Sequence, residues 1–327
     1  MELLLFATDR GVVTVERVDG KWEQVERTLP TQAVTSITVR DERVLAGTPS
    51  GVFRSENLGQ SWEPSGTGLT VLHIRWLAEH PQTPGVVFAG TEPADIFVSE
   101  DAGENWEEKD EVVDLRDEKG WNLPYSPEAG CVRGFAFHGD RGYAAVEQGG
   151  LLRSDDRGRS WQLAPGSVGD PDLPVAETFV HHDVHSVEVH PSSADLVFAP
   201  TGGGLYRSAD GGETWGELYD CYCRAVWVDP DDPDHIIFGP ADGVDRGGRI
   251  ARSIDGGESW EGMMGSLEDD RWSDTMVERF NQIGEDIFAV LSNGDVLVAP
   301  LDTLEWKRFL PGKEIGDVNF VVSGVKS

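Results

Sequence analysis

Short apolar runs separated by Gly-, Pro- and Asp-rich turns recur along the whole chain. In five places two such runs stand in tandem: Val44-Leu-Ala-Gly with Gly51-Val-Phe-Arg-Ser, Val86-Val-Phe-Ala-Gly with Ile96-Phe-Val-Ser, Gly142-Tyr-Ala-Ala-Val with Leu151-Leu-Arg-Ser, Leu196-Val-Phe-Ala-Pro with Leu205-Tyr-Arg-Ser, and Ile236-Ile-Phe-Gly-Pro with Ile250-Ala-Arg-Ser. Runs of this length, bounded by turn formers and rich in β-branched and aromatic residues, predict strands rather than helices. Two further pairs, Leu3-Leu-Leu-Phe-Ala-Thr with Gly11-Val-Val-Thr-Val and Ile287-Phe-Ala-Val-Leu with Gly294-Asp-Val-Leu-Val, bring the units to seven. Another strand precedes most pairs, as in Arg75-Trp-Leu-Ala-Glu-His-Pro and Arg224-Ala-Val-Trp-Val-Asp-Pro.

Each of the five tandem pairs ends in the same box. Its copies are Ser55-Glu-Asn-Leu-Gly-Gln-Ser-Trp62, Ser99-Glu-Asp-Ala-Gly-Glu-Asn-Trp106, Ser154-Asp-Asp-Arg-Gly-Arg-Ser-Trp161, Ser208-Ala-Asp-Gly-Gly-Glu-Thr-Trp215 and Ser253-Ile-Asp-Gly-Gly-Glu-Ser-Trp260. A fourth strand starts at each box Trp, with Trp22 and Trp306 in the same place in the two units lacking a box. Four strands at a period of roughly 40 to 55 residues predict an all-β, seven-bladed β-propeller of four-stranded antiparallel blades. The first unit begins at its second strand, so Asp317-Val-Asn-Phe-Val-Val322 is expected to supply the missing inner strand. Residues 1–327 then form a single domain, with blade 1 built from about 1–30 plus 315–327.

The boxes resemble the Asp-box, or BNR, repeat Ser-x-Asp-x-Gly-x-Thr-Trp of sialidases, xyloglucan-active glycosidases, sortilin-type receptors and photosystem II assembly factors. The resemblance implies a fastener: the Asp bonds backbone N–H groups of its own turn, the Gly is left-handed and the Trp packs between blades. In the family, ligands bind the face opposite the boxes. The longer insertions, 107–130, 162–184, 239–250 and 261–277, are expected there.

Charge narrows the partners. The net charge is −32, and 21 of the 27 basic residues are arginine. Acidic excess with little lysine resembles proteins of salt-accumulating halophiles, where molar salt shortens the Debye length to about 3 Å and cancels self-repulsion. Nucleic acid and anionic membranes do not suit such a surface. No basic segment with a following apolar stretch and no spanning apolar run is present, which predicts a cytoplasmic protein. Three cysteines, Cys131, Cys221 and Cys223, do not make a disulfide framework.

Candidate chemistry follows from aligning the inner strands on their closing turns. Arg75, Arg133, His185 and Arg224 fall at one position, joined by Thr35 and Glu278, and about 20 Å of strand carries them to the channel mouth away from the boxes. Guanidiniums there suit a carboxylate, sulfate or phosphate; the alternative is structural pairing with Glu188, Glu278 or Asp183. Arg279 is expected to face the other side of its strand. His73, His182 and Tyr222 lie on the same rim, and Trp121 and Trp272 are candidate stacking platforms for sugar rings. His185 and Glu278 are the acid–base candidates. No metal signature is present; a divalent metal is a secondary reading, with His181, His182, His185 and Cys131 as ligands.

Two functions fit. One is the binding of an anionic small molecule or acidic sugar at the channel mouth, extended by glycosidase or lyase chemistry. The other is a non-catalytic platform for a partner protein, as the resemblance to photosystem II assembly factors implies.

Overall fold

The computed structural model describes residues 2–126, 129–263, 274–310 and 315–325. Seven four-stranded antiparallel sheets form the blades of a propeller. Their inner strands are Val318–Val325, Ser36–Arg40, Ile74–Glu79, Cys131–His138, Glu188–Val189, Tyr222–Asp229 and Val277–Ile283 for blades 1 to 7. Each inner strand touches the next, and the last touches the first, so the ring is closed. Blade 1 combines both ends of the chain: Glu2–Thr8 pairs with Val318–Val325, with Phe6 opposite Val321. Closure leaves only the outer strands as edges, two residues long in five of the blades and eight in blade 1, Lys21–Thr28.

The core lies between blades. One cluster joins Trp227 and Ile237 of blade 6 to Ile287, Leu297 and Trp306 of blade 7; another joins Phe88 and Ile96 of blade 3 to Leu152 and Trp161 of blade 4. Trp161 and Trp306 hold equivalent places in their blades, although Trp306 has no box before it.

The repeated box closes its own turn. Ser208 Oγ donates to Asp210 Oδ1 at 2.8 Å, which also accepts the backbone N–H of Thr214 at 2.9 Å, while Gly212 N–H donates back to Ser208 Oγ. Asn57 does the same work in blade 2, accepting Ser61 N–H at 2.9 Å. Two consecutive residues are left-handed, for example Ala102 (φ 63°) and Gly103 (φ 88°), and the second is Gly in all five copies. In one copy the reason is plain: a Cβ on Gly158 would lie 2.2 Å from the Phe88 ring of the neighbouring blade.

The insertion at 107–130 contains an α-helix, Asp110–Lys119, which the strand pattern does not predict. Asp110 and Glu111 sit in its first turn, Arg116 and Lys119 in its last, each suiting the helix dipole, and Gly120 ends it with φ 66°. No described helix is long and apolar enough to cross a membrane.

Candidate functional site

Antiparallel pairing puts the boxes and the starts of the inner strands at opposite ends of each blade. In blade 3, Ile74 is opposite Thr91, whereas Glu79 and Ser99 both lie opposite Val87 at the boxed end. At the unboxed end a cavity of ≈ 290 Å³ opens, walled by Thr35, Arg75, Arg133, Arg224, Glu278 and Arg279, with Trp76 and Asp317 beside them.

β-Bulges aim these side chains inward. The ladder slips between Ile74 and Trp76, between Val132 and Gly134, between Cys223 and Val226, and between Val277 and Arg279. The extra residue at each slip is, or includes, Arg75, Arg133, Arg224 and Glu278. A bulge inserts one residue without a ladder partner and re-aims its side chain. It also explains Arg279: strict alternation would turn it away from Glu278, but the bulge breaks alternation and both reach the cavity. The expectation that Arg279 faces the other side is thus corrected.

The cations are held by different means. Arg75 pairs with Glu92 at 3.0 Å and Arg133 with the buried Glu147 at 2.8 Å. Glu278 bridges Arg133, at 3.2 Å, and Arg224. Of the carboxylates weighed as partners, Glu278 pairs with the arginines and Asp183 with His185, at 3.2 Å, while Glu92 and Glu147 were missed because they lie on a loop and a second strand. Arg279 differs: its guanidinium donates to the backbone carbonyls of Arg133 at 2.9 Å, Glu278 at 3.0 Å and Arg224 at 3.4 Å, and stacks 4.6 Å from the Trp76 ring. Burial, and then the neighbouring Arg133, push its pKa down to about 9. Burial works against charge on Glu278, but Arg224 and Arg133 outweigh it and hold that carboxyl below the ordinary range.

His185 does not reach the cavity. The inner strand of blade 5 is regular only at Glu188–Val189, but Val184 still bridges Thr201 and His185 N–H donates to Pro200 O. The chain before it thus continues along the blade with one residue in excess, and the His185 ring turns towards Cys223 of blade 6. The ring is fully buried, its Nδ1 3.0 Å from Cys223 O and its Nε2 3.3 Å from the Tyr222 hydroxyl. His185 and Glu278 therefore do not share a cavity as an acid–base pair would. Tyr222 is half-buried between them, accepting from Arg224 Nε at 3.0 Å.

Other candidates fall elsewhere. Trp121 is not a platform: it is 3% exposed, packed between blades 3 and 4, and donates to Gly169 O. Trp272 lies outside the described residues. The His73 carbonyl accepts the N–H of Glu92, and His73 is absent from the cavity wall. His182 stacks on His181, ring centroids 4.3 Å apart, and burial lowers both, His181 to about 4. The four expected metal ligands do not assemble. Cys131 is buried against Glu147, 3.3 Å away, and burial raises its thiol. His185 instead meets Asp183 and Glu147.

These features define a seven-bladed propeller with an arginine-lined channel mouth. No family model matches the chain. It is similar to a xyloglucanase from a Paenibacillus species, 29% identical over 153 residues, 41% of this chain but only 14% of that protein. Among solved structures, the GH74 xyloglucanase of Xanthomonas campestris is 15% identical with a TM-score of 0.63, over 85% of this chain and 45% of that one. YCF48 bound to D1 peptide is 15% identical with a TM-score of 0.58, over 88% of this chain and 84% of that one. At these identities the structural likeness shows the fold. The chain spans under half the length of either xyloglucanase.

Proposed function

We propose that the protein binds an anionic group, carboxylate, sulfate or phosphate, at the channel mouth opposite its Asp-box-like turns. The observation that carries this is Arg279, a stacked cation held by backbone carbonyls and set among three further guanidiniums at an open cavity. Its fixed orientation means little is lost in ordering it when an anion arrives. Glu92, Glu147 and Glu278 offset Arg75, Arg133 and Arg224, so the excess positive charge available to an anion at this mouth is about that of one guanidinium.

Catalysis at this mouth has weaker support. Glycoside hydrolysis asks for a carboxylic acid kept protonated near neutral pH beside a second carboxylate, and Glu278 is biased the opposite way. Coverage also favours binding over hydrolysis: the chain accounts for 84% of the YCF48 structure carrying a D1 peptide and 45% of the xyloglucanase. A protein or peptide carboxylate is accordingly the second reading of the same site. The acidic surface is read as adaptation to salt.

Isothermal titration with sulfate, citrate, glucuronate and a short peptide with a free C-terminus, in low and molar salt, tests the proposal. We expect saturable binding of at least one anion, weakened at least tenfold by Arg279→Gln. No binding and an unmoved melting temperature with all four would remove it.

A further inference from the structure

Separate from the open cavity of the arginine mouth, Glu147, Asp183 and His185 bring one ligand atom each to within 4.8 Å of one another, with Glu147 and His185 buried and the Asp183 side chain 13% exposed. We propose that this triad is a divalent transition-metal site, with His185 Nε2, an Asp183 carboxylate oxygen and a Glu147 carboxylate oxygen as ligands.

Hydrogen-bond direction carries the inference. Cys223 O only accepts, so His185 Nδ1 carries a proton and donates to it at 3.0 Å. With Nδ1 protonated, the neutral ring keeps a single in-plane lone pair on Nε2; the Tyr222 hydroxyl, whose oxygen accepts from Arg224 Nε, lies beside it at 3.3 Å. The lone pair of Nε2 then faces Asp183 Oδ2 at 3.2 Å. Two acceptors at that distance repel unless a cation lies between them. An imidazole whose Nδ1–H is fixed by a carbonyl, leaving Nε2 free, is the arrangement by which proteins orient metal-binding histidines.

Asp183 adds a second observation. Its Oδ1 is buried and has no hydrogen-bond partner, a costly state for a carboxylate oxygen. The backbone makes room for the group: a Cβ on Gly202 would lie 2.2 Å from Asp183 Oδ2, so the Gly202–Gly203 turn keeps a space that any larger residue would fill. Glu147 Oε2 accepts from Arg133 at 2.8 Å and from Cys131 at 3.3 Å, whereas Oε1 accepts from Tyr125 at 2.7 Å and retains a further lone pair. One imidazole and two carboxylates suit Zn²⁺ or Mn²⁺, at ligand distances of about 2.0–2.2 Å.

The competing account is a second proton on His185, making an imidazolium that donates to Asp183. The test separates them. Protein stripped with chelator and exchanged into metal-free buffer is titrated with Zn²⁺ and with Mn²⁺ by calorimetry, and melted with and without each ion. We expect one ion per chain, a raised melting temperature, at least tenfold weaker binding in Asp183→Asn, and unchanged binding in His181→Gln, whose ring is outside the triad. Nitrogen NMR of His185 adds a readout independent of the variants' folding. Absence of saturable binding by the parent, unchanged affinity in a folded Asp183→Asn, or a doubly protonated His185 in metal-treated protein overturns the proposal.

Discussion

Replacing Glu278 by Gln should strengthen anion binding. Among the described residues Glu278 is the one carboxylate that bridges two arginines of the mouth, Arg133 and Arg224, so it would both repel an incoming anion and occupy donors the anion needs. Gln keeps the volume and removes the charge. Arg133 retains Glu147, and Arg224 retains the Tyr222 hydroxyl at 3.0 Å, so neither guanidinium is left without a partner. Two unit charges about 4 Å apart interact by about 1 kcal/mol in bulk water and about 4 kcal/mol near a protein surface. The cavity is open, so a gain of about 2 kcal/mol is reasonable, roughly 30-fold in affinity. Calorimetric titration of parent and Glu278→Gln with the same anion measures it. At molar salt, with a Debye length near 3 Å, the gain should shrink to a few-fold. If Glu278 instead acts in catalysis, the substitution abolishes turnover and leaves affinity nearly unchanged. Weaker or unaltered binding in a folded variant would refute the reasoning.

Four other outcomes follow. Removing residues 317–327 deletes the strand carrying the buried Val318 and Val321 and its pairing with Glu2–Thr8; at about 1.5–3 kcal/mol per buried valine plus the lost ladder, roughly 5 kcal/mol or more is forfeited, and melting at the parent temperature would contradict ring closure. Asp95 is buried and, through that burial and then Glu108, its carboxyl is pushed up to about 8. The folded state therefore holds this proton more tightly than the unfolded one, whose carboxyl is near 3.8; stability attributable to Asp95 is greatest below pH 4 and lost as pH rises towards 8. Asp95→Asn should flatten that slope in denaturant titrations, with a gain on the order of 3 kcal/mol at pH 9. Asp210→Ala removes acceptors for Ser208 and Thr214 and should cost about 1 kcal/mol while leaving anion affinity within about twofold. Dialysis from molar to low salt should lower the melting temperature if −32 charges are adapted to salt, and an unchanged melt would count against that reading.

The ring was legible in the sequence because the box is local. Ser208, Asp210 and Gly212 satisfy one another within five residues, so the pattern repeats wherever that turn is needed. The inner-strand alignment also brings Arg75, Arg133, Arg224, Thr35 and Glu278 to the wall of one cavity, since equivalent places in a closed ring converge on one axis. It misplaced His185, which lies beside a comparable slip but whose ring is buried against Cys223 O, a direction that strand position alone does not give. It failed for Arg279 because a bulge cannot be read from alternation. Glu92 and Glu147 were missed for a different reason: each partners an arginine 14 to 17 residues away across a turn, and a spacing of that kind carries no periodic signal. The helix Asp110–Lys119 has an apolar face limited to residues such as Val112 and Leu115, too narrow to mark it.

The bulges also bear on how such a site arises in a repeating fold. An ideal inner strand directs alternate side chains towards its two neighbouring blades, where they are committed to packing. One extra residue releases a side chain from both neighbours and leaves it on the channel axis, while the ladder resumes on either side: in blade 4, Val132 pairs with Val146 and Gly134 with Ala145. The released position is thereby free to vary without disturbing the core. In this chain it is filled by arginine three times, by Glu278 in blade 7 and by Asn319 in blade 1, and the glutamate is placed where it ties two of the arginines together. A mouth assembled this way has its cations oriented before any ligand arrives, at the cost of mutual repulsion that Glu92, Glu147 and Glu278 offset for Arg75, Arg133 and Arg224. For Arg279, held by carbonyls and the Trp76 face, the offset comes through space from Glu278 and Glu188.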